Sequence, residues 1–501
     1  MLRDHSPIVI DKFNGLWQRG DVDNTPLDHW ADCENVQLIG NNAFGTRDGI
    51  NISQSAVGPL SNIKRIYNYP TSSANTYLVL IIDGANGKIY HVVNSTTVYG
   101  PILTVAGMTD FAFVPYAGRA YLSPFGTFTT GDLNIQKGLS GEFLYVYLGA
   151  GVAARKAAGA TPAGTLTIAN GGAGYTDAGF HLFGVVGETD TGYLSAPVAF
   201  ASHTTSKTLS LNFSTVPLFS GTQWVKRHIV ATKVIKSYTG NTTGYQYYFI
   251  PNATIPDNTT TTLNAQSFYD ADLLEDASHL LDNLSEVPAG AVLTLYHNRL
   301  CLAATFTDIS LMHVSELGEP EAFNQIEGLI IVPPDGNPIT NAQELRDVLY
   351  VFKRSRTVSF IDNGDVPSSW PLIIIDNALG APVHGIATVL DSGSASTDFL
   401  IVCTYQGINL FNGRYANPEL SWKIDALWRA LDRDLFRLIQ IVNDPIKKQL
   451  YIILPTGNIL VGNYANGMDP IKVRWTIWSF QIGVNTIAIV NIDDLVIGMD
   501  T

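Results

Sequence analysis

From Tyr296 to Asp362 the chain reads YHNRLCLAATFTDISLMHVSE, then GEPEAFNQIEG, then, after an interval, LRDVLYVFKRSRTVSFID. Short apolar runs are separated by polar breaks, and the breaks carry turn residues or charges where a strand should reverse. The same texture recurs from Ile63 to the end, in TYLVLIID, KIYHVV, DFAFVPY, FLIVCTY, QLYIILP and VRWTIWSF. Breaks such as Asp83-Gly84-Ala85-Asn86-Gly87 and Pro455-Thr456-Gly457-Asn458 supply residues that accept positive φ and close tight hairpins. Repeated antiparallel hairpins at this spacing predict an all-β chain, a β-propeller built from four-stranded blades.

Composition agrees. Hydrophobic residues make up 46% and charged residues 15% of the 501-residue chain, so apolar surface for a core is ample. The Gly (44) and Pro (24) content suits many turns, and Tyr (22), Phe (22) and Trp (8) favour strands. Little helix is expected. The best candidate is Ala426–Gln440, where Leu427, Trp428, Leu431, Leu435 and Leu438 recur at helical spacing, and a second is Asp270–Leu284. Composition changes near Ala150: GAGVAARKAAGATPAGT is rich in small residues and reads as a linker or an entry loop. From Thr165 about six or seven strands with frequent turns follow over roughly 100 residues, the dimensions of a small β-sandwich. Hairpins of the first type resume at Leu293. The expected division is 1–155 for an N-terminal segment and the first blades, 156–288 for the inserted sandwich, and 289–501 for the remaining blades.

A net charge of −14 argues against binding nucleic acid electrostatically. The best basic patches, Lys226-Arg227-His228 and Lys353-Arg354-Ser355-Arg356, read as solvated strand ends. Cys33, Cys301 and Cys403 are far apart and odd in number, with no disulfide framework or metal-ligand spacing, which fits folding in a reducing cytoplasm. The N-terminus lacks the apolar stretch of a signal peptide, and no run is long enough to span a membrane as a helix. No Gly-x-Ser-x-Gly elbow or P-loop occurs; Gly171-Gly172-Ala173-Gly174 reads as a turn. The carboxylate pairs Asp270/Asp272, Asp432/Asp434 and Asp493/Asp494 fall in turns or expected helices rather than across a cleft. Asp362-Asn363-Gly364-Asp365 lacks the ligand spacing of a Ca²⁺ loop. The expectation is therefore no catalytic residue, no cofactor and no metal. Trp475 and Trp478, at odd spacing, should point to opposite faces of a strand.

These residues resemble a known family, the β-propeller tail proteins of short-tailed bacteriophages, the tail nozzle and hub-stabilisation proteins. The likeness begins in FNGLWQRGDVDNTPLDHWADCENVQL and GTRDGI, with Phe13, Asn14 and Gly15 at the start, Asn35 after it, and Arg47 and Gly49 at its close. It continues in Asn298, Arg299 and Leu300, in Ser315 and Glu316 followed by Pro320, in VLYVFKRSRTVSFID and GINLFNGRYANPELSWKI, and in Trp475 and Trp478 of WTIWSF. The resemblance implies that the insert is immunoglobulin- or fibronectin-like.

It also implies a function. The chain is expected to be a structural virion protein, a ring-forming component of a phage tail that forms a DNA conduit, with loops or the N-terminal segment as gate or interlock. Expected partners are further copies in a homo-oligomeric, hexameric ring and other tail or connector proteins, with DNA passing through without specific binding. Six copies would carry about −84, six times −14, which would repel phosphates if it faced the lumen. The expected location is the virion tail, assembled in the host cytoplasm. Two alternatives stay open: a head-proximal adaptor or stabilisation protein that plugs DNA, and a host-surface propeller that binds or cleaves glycans.

Overall fold

The computed structural model describes residues 14–18, 26, 29–30, 32–39, 43–46, 60–71, 75–130, 133–157, 164–281, 286–389, 398–415, 420–490 and 494–499. Outside the inserted region, antiparallel sheets succeed one another along the chain. Sheet 1 holds Ile63–Asn68, Thr76–Asp83, Asn86–Val93 and Thr97–Ala106; sheet 2 holds Asp110–Tyr116, Arg119–Thr130, Leu133–Gly138, Tyr145–Tyr147 and Arg155–Lys156. Sheet 3 holds Gly290–Tyr296, Arg299–Thr305, Leu311–Glu316, Glu319–Phe323 and Leu329–Ile331; sheet 4 holds Ile339–Leu345, Val348–Lys353, Thr357–Phe360 and Leu372–Asp376. Sheet 5 is Ile386–Val389, Phe399–Cys403 and Ile408–Phe411; sheet 6 is Gln440–Asp444, Gln449–Ile453, Ile459–Asn463 and Arg474–Trp478; sheet 7 is the pair Val484–Val490 and Asp494–Met499.

Why the strands are apolar on both faces follows from how the sheets stack. Successive strand residues point to opposite faces. In sheet 6, Leu450 and Ile452 pack with Ile401 and Cys403 of sheet 5, whereas Tyr451 and Ile453 pack with Ile487 of sheet 7. In sheet 3, Leu300 and Leu302 face Tyr121 of sheet 2, whereas Cys301 and Ala303 face Leu349 and Val351 of sheet 4. The remaining faces follow suit: Leu80 of sheet 1 packs with Leu122 of sheet 2, and Phe352 of sheet 4 with Val402 of sheet 5. Ala488 and Val490 of sheet 7 pack with Ile66 and Val79 of sheet 1, which closes the cycle. Each sheet is thus sandwiched between two others, so its strands read as near-continuous apolar runs rather than as alternating ones. This is an all-β chain of mostly four-stranded antiparallel sheets in cyclic contact, consistent with a β-propeller.

The N-terminal segment fastens to the outer strand of sheet 6. Leu16 N–H donates to Trp475 O (2.8 Å), Asn35 N–H to Ile477 O (2.7 Å), and Ile477 N–H to Cys33 O (3.0 Å). Trp478 Nε1–H donates to Val36 O (3.2 Å). Residues from both ends of the chain therefore share one sheet edge, which leaves that edge covered.

Between sheets 2 and 3 the chain forms two further sheets. Thr167–Ala173, Leu209–Ser214 and Leu263–Gln266 make one; Val198–Thr205, Gly179–Thr189, Trp224–Ala231 and Tyr248–Ile255 make the other. They share one core that includes Phe183, Val185, Leu211, Phe213, Trp224 and Ile229.

Three local expectations are corrected. Ala426–Gln440 is not one helix: Asp425–Arg429 is α-helical, Arg433–Leu438 is 3₁₀, and Gln440 already begins a strand. Asp432 breaks the pattern, because its side chain accepts from Asp434 N–H (2.9 Å) and offers the backbone a local alternative to the helix. Among the described residues, Asp270–Leu284 likewise yields only the 3₁₀ turns Asp270–Asp272 and Ser278–Leu281. Gly171-Gly172-Ala173-Gly174 is no turn; it continues an irregular strand edge where Gly171 and Gly174 lie so close to the partner strand that a Cβ at Gly171 would stand 2.5 Å from Ser210 Oγ.

Candidate functional site

Charged and polar side chains from the first strands of several sheets converge where those strands meet. Arg65 of sheet 1 grips Asp110 of sheet 2 through Nε to Oδ1 (3.0 Å) and Nη2 to Oδ2 (2.6 Å). Arg65 Nη1 donates to Gln440 Oε1 of sheet 6 (2.8 Å), which also accepts from Thr486 Oγ1 of sheet 7 (3.1 Å). His384, just before sheet 5, places Nε2 2.9 Å from Asp110 Oδ2. Its Nδ1 lies 3.4 Å from Tyr67 Oη, whose hydroxyl donates to Phe111 O. Arg65 and Asp110 are 7% and 8% exposed, so the charges are compensated by each other rather than by water. Beside this network lies a cavity of about 350 Å³, lined by Tyr67, Val114, Val292, Thr294, Asn341 and His384 among others.

Burial alone would raise the Asp110 carboxyl, but Arg65 and then His384 outweigh it and hold it well below the usual carboxylate range. Burial, reinforced by the Arg65 charge, lowers the His384 imidazole against the opposing pull of Asp110. Chemically the group is a His–Asp pair held by a guanidinium. Neither imidazole nitrogen bonds to a serine, threonine or cysteine among the described residues, so the arrangement lacks the nucleophile of a hydrolytic triad.

The residues that carried the family resemblance have other positions. Phe13, Arg47 and Gly49 lie outside the described residues. Gly15 (φ +86°) sits so close to the outer strand of sheet 6 that a Cβ would stand 2.8 Å from both Trp475 N and O. Asn14 immediately precedes it, and Asn35 takes φ 54° where the segment joins Ile477. Trp475 and Trp478 are both buried and face different sheets: Trp475 packs with Leu16 and Leu450, Trp478 with Tyr451 and Ile487. Asn298 (φ 59°) and His297 (φ 47°) form the tight turn into Arg299–Thr305.

Around Asn298 the second group of pattern residues meets. Asn298 O accepts from Gly318 N–H (3.0 Å), two residues before Pro320. Arg299 Nη1 donates to Ser315 O (2.9 Å), and its guanidinium lies 3.8 Å from Glu316. The buried Ser315 hydroxyl accepts from Leu300 N–H (2.9 Å) and donates to Glu316 O (3.1 Å). These residues tie two hairpins of one sheet together. Ser315→Ala is expected to cost about 1–3 kcal/mol by leaving the Leu300 amide short of a partner, measured by denaturant unfolding.

Other charged groups are spent on the scaffold. Arg155, in the small-residue stretch read as a linker, pairs with Asp190 (2.5 Å) of the inserted sheets and with the buried Glu321 of sheet 3 (3.0 Å). The basic runs are not solvated strand ends throughout: Arg227 is fully buried and donates to the carbonyls of Pro217 and Asp257, and Lys353 Nζ, also buried, donates to Pro333 O and Asp335. Asp432 caps a 3₁₀ turn, and Asp270 accepts from Val234 N–H, so neither faces its neighbour across a cleft; Asp493 lies outside the described residues. His297, Glu344 and Asp347 bring potential ligand atoms within 4.8 Å of one another, a grouping from two hairpins that could hold a cation and that no local sequence spacing announced.

No family model matches the chain. No curated protein matches it. Among solved structures it is similar to AztD from Citrobacter koseri, at 10% identity and a TM-score of 0.34, over 94% of this chain and 96% of that one. It is similar to Raptor from Chaetomium thermophilum at 9% identity and a TM-score of 0.32, over 85% of this chain but 26% of the Raptor chain. Hsv2 of Kluyveromyces lactis gives 10% identity and a TM-score of 0.28, over 83% of this chain and 98% of that one. None of these three names a phage tail protein, and at such scores the fold rests on the sheets and cores described above.

Proposed function

We propose that this chain is a structural, non-enzymatic component of a phage tail that assembles with further copies into a ring around a DNA conduit. The inserted pair of sheets is an immunoglobulin- or fibronectin-like sandwich in this reading, and the hexamer is its expected assembly. The sequence side of the proposal is the family resemblance. The structural observation that carries it is apolar surface on adjacent outer edges. Ile331 on the outermost strand of sheet 3 is 69% exposed, and Ile373 and Ile374 on the outermost strand of sheet 4 are each 49% exposed. Ile326 and Val366, in the flanking loops, are exposed as well. Large apolar side chains grouped on a rim are what an assembly interface needs.

The test is native mass spectrometry and electron microscopy of the purified chain, alone and with its neighbouring gene products. A hexamer of the 54.4 kDa chain, about 326 kDa in all, is expected. Ile331→Glu combined with Ile374→Glu, at positions that are already exposed, should shift the population to monomer without lowering thermal stability. A chain that stays monomeric with its neighbours present would defeat the reading.

A further inference from the structure

We propose that a second concavity, which shares Thr340 with the cavity beside the Arg65–Asp110 network and has Pro382 in its lining, binds the phosphate group of inorganic phosphate or of a phosphomonoester. It lies between the strand Leu133–Gly138 of sheet 2, the turn after Val348–Lys353 of sheet 4 and the 3₁₀ segment Arg433–Leu438. Its lining includes Arg354, Arg433, Arg437, Tyr405, Asp434 and Gln136.

Charge comes first. Guanidinium groups stay protonated at any working pH, so three arginines and one carboxylate leave the concavity at about +2. Several other cations of this acidic chain pair with carboxylates, as in Lys88–Asp83, Lys226–Glu188 and Arg429–Asp425. Among the described residues, none of Arg354, Arg433 and Arg437 forms such a pair. Arg354 instead lies over the Tyr405 ring, 5.1 Å from its centroid, and Arg437 donates to the backbone carbonyl of Asp434. Three cations lining one hollow without a carboxylate partner among the described residues are suited to an anion from outside.

Size and donors narrow the class. The cavity is about 50 Å³, against roughly 10–15 Å³ for one water on the same measure, so it has room for an oxyanion-sized group. A site at about +2 matches a phosphate dianion better than a singly charged carboxylate or a phosphodiester. Tyr405 is fixed by stacking on Phe436, with centroids 4.6 Å apart, and burial raises its hydroxyl's pKa, so it remains a proton donor. The site stands on these residues alone and is independent of the proposed assembly: a chain that forms no ring would still bind phosphate, and the converse holds.

The full-length protein would be titrated with inorganic phosphate by isothermal calorimetry and ³¹P NMR, with sodium chloride at matched ionic strength as control. Saturable one-site binding is expected, and glycerol phosphate should compete for it. Arg433→Gln and Arg437→Gln, on a solvent-facing segment, should each weaken binding by about tenfold or more while leaving thermal stability unchanged. Absence of saturable binding, or binding undiminished in the Arg433→Gln/Arg437→Gln double variant, would overturn the site. A single-stranded DNA oligonucleotide that binds more tightly than phosphate, with the same sensitivity to both substitutions, would overturn the assignment to a phosphate dianion.

Discussion

Replacing Asp110 with asparagine should destabilise the protein by about 3–5 kcal/mol at neutral pH, the usual cost of stripping one partner from a buried ion pair. Asp110 holds the Arg65 guanidinium by three contacts, His384 by one, and the amide of its own neighbour Phe111 by another (2.8 Å). Asparagine keeps the shape but leaves the Arg65 charge buried without an anion. The effect should span sheets 1, 2, 5 and 6, since all of them send side chains or backbone to this point, so unfolding should stay cooperative rather than lose one sheet. The pH dependence has a definite sign. The Asp110 carboxyl is held below its unfolded value, so its contribution is present above about pH 4 and is lost as pH falls further. The gap between wild type and Asp110→Asn should therefore be widest at neutral pH and shrink by about 1.4 kcal/mol per pH unit below about pH 4. His384 also has a lowered pKa, so its neutral form belongs to the folded state, and wild-type stability should begin to fall as pH drops below about 6.5. Urea unfolding at a series of pH values measures both. A gap that stays constant down to pH 3 would mean that Asp110 carries no charge in the fold.

Much of the architecture was legible because it is written in local patterns. The run LYII at Leu450–Ile453 is apolar at every position, which a strand buried on both faces demands, and its alternate residues do reach different sheets. Gly15, Asn35 and Asn298 stood out in the sequence, and each sits at positive φ, a requirement that restricts residue type and so leaves a trace. The spacing of Trp475 and Trp478 gave their opposite faces by the same logic. The Arg65–Asp110–His384 network left no such trace. Arg65 and Asp110 are 45 residues apart, and Asp110 and His384 are 274 apart, so only closure of the ring of sheets brings them together. Arg155 was hidden by its setting: a small-residue stretch looks like a linker whether or not one long side chain in it is anchored at both ends. The expected helix failed for a nearer reason, since spacing registered the apolar positions of Ala426–Gln440 but not the capping competition of Asp432.

Trp475 is where the N-terminal segment meets sheet 6, and Trp475→Ala should cost about 3–5 kcal/mol, in the range for removing a large aromatic from a closed core. The side chain is fully buried among Leu16, Cys33, Leu450, Leu460 and Val473, so its loss opens a cavity shared by the N-terminal segment and sheets 5 and 6. Its backbone carbonyl would still accept from Leu16 N–H, yet the apolar seat of Leu16 would be gone. Limited proteolysis should then cut within residues 14–35 before the rest of the chain. The packing itself can be tested through Gly462, on the neighbouring strand: an added Cβ there would stand 2.5 Å from Trp475 Cζ3. Gly462→Ala should cost about 1–3 kcal/mol beside the tryptophan, through overpacking. In the Trp475→Ala background the same methyl has room, so its cost should vanish or reverse, and the two substitutions should couple by about 0.5–3 kcal/mol. Additivity within about 0.5 kcal/mol would mean that the indole does not lie over Gly462, and the account of how this edge is sealed would fail with it.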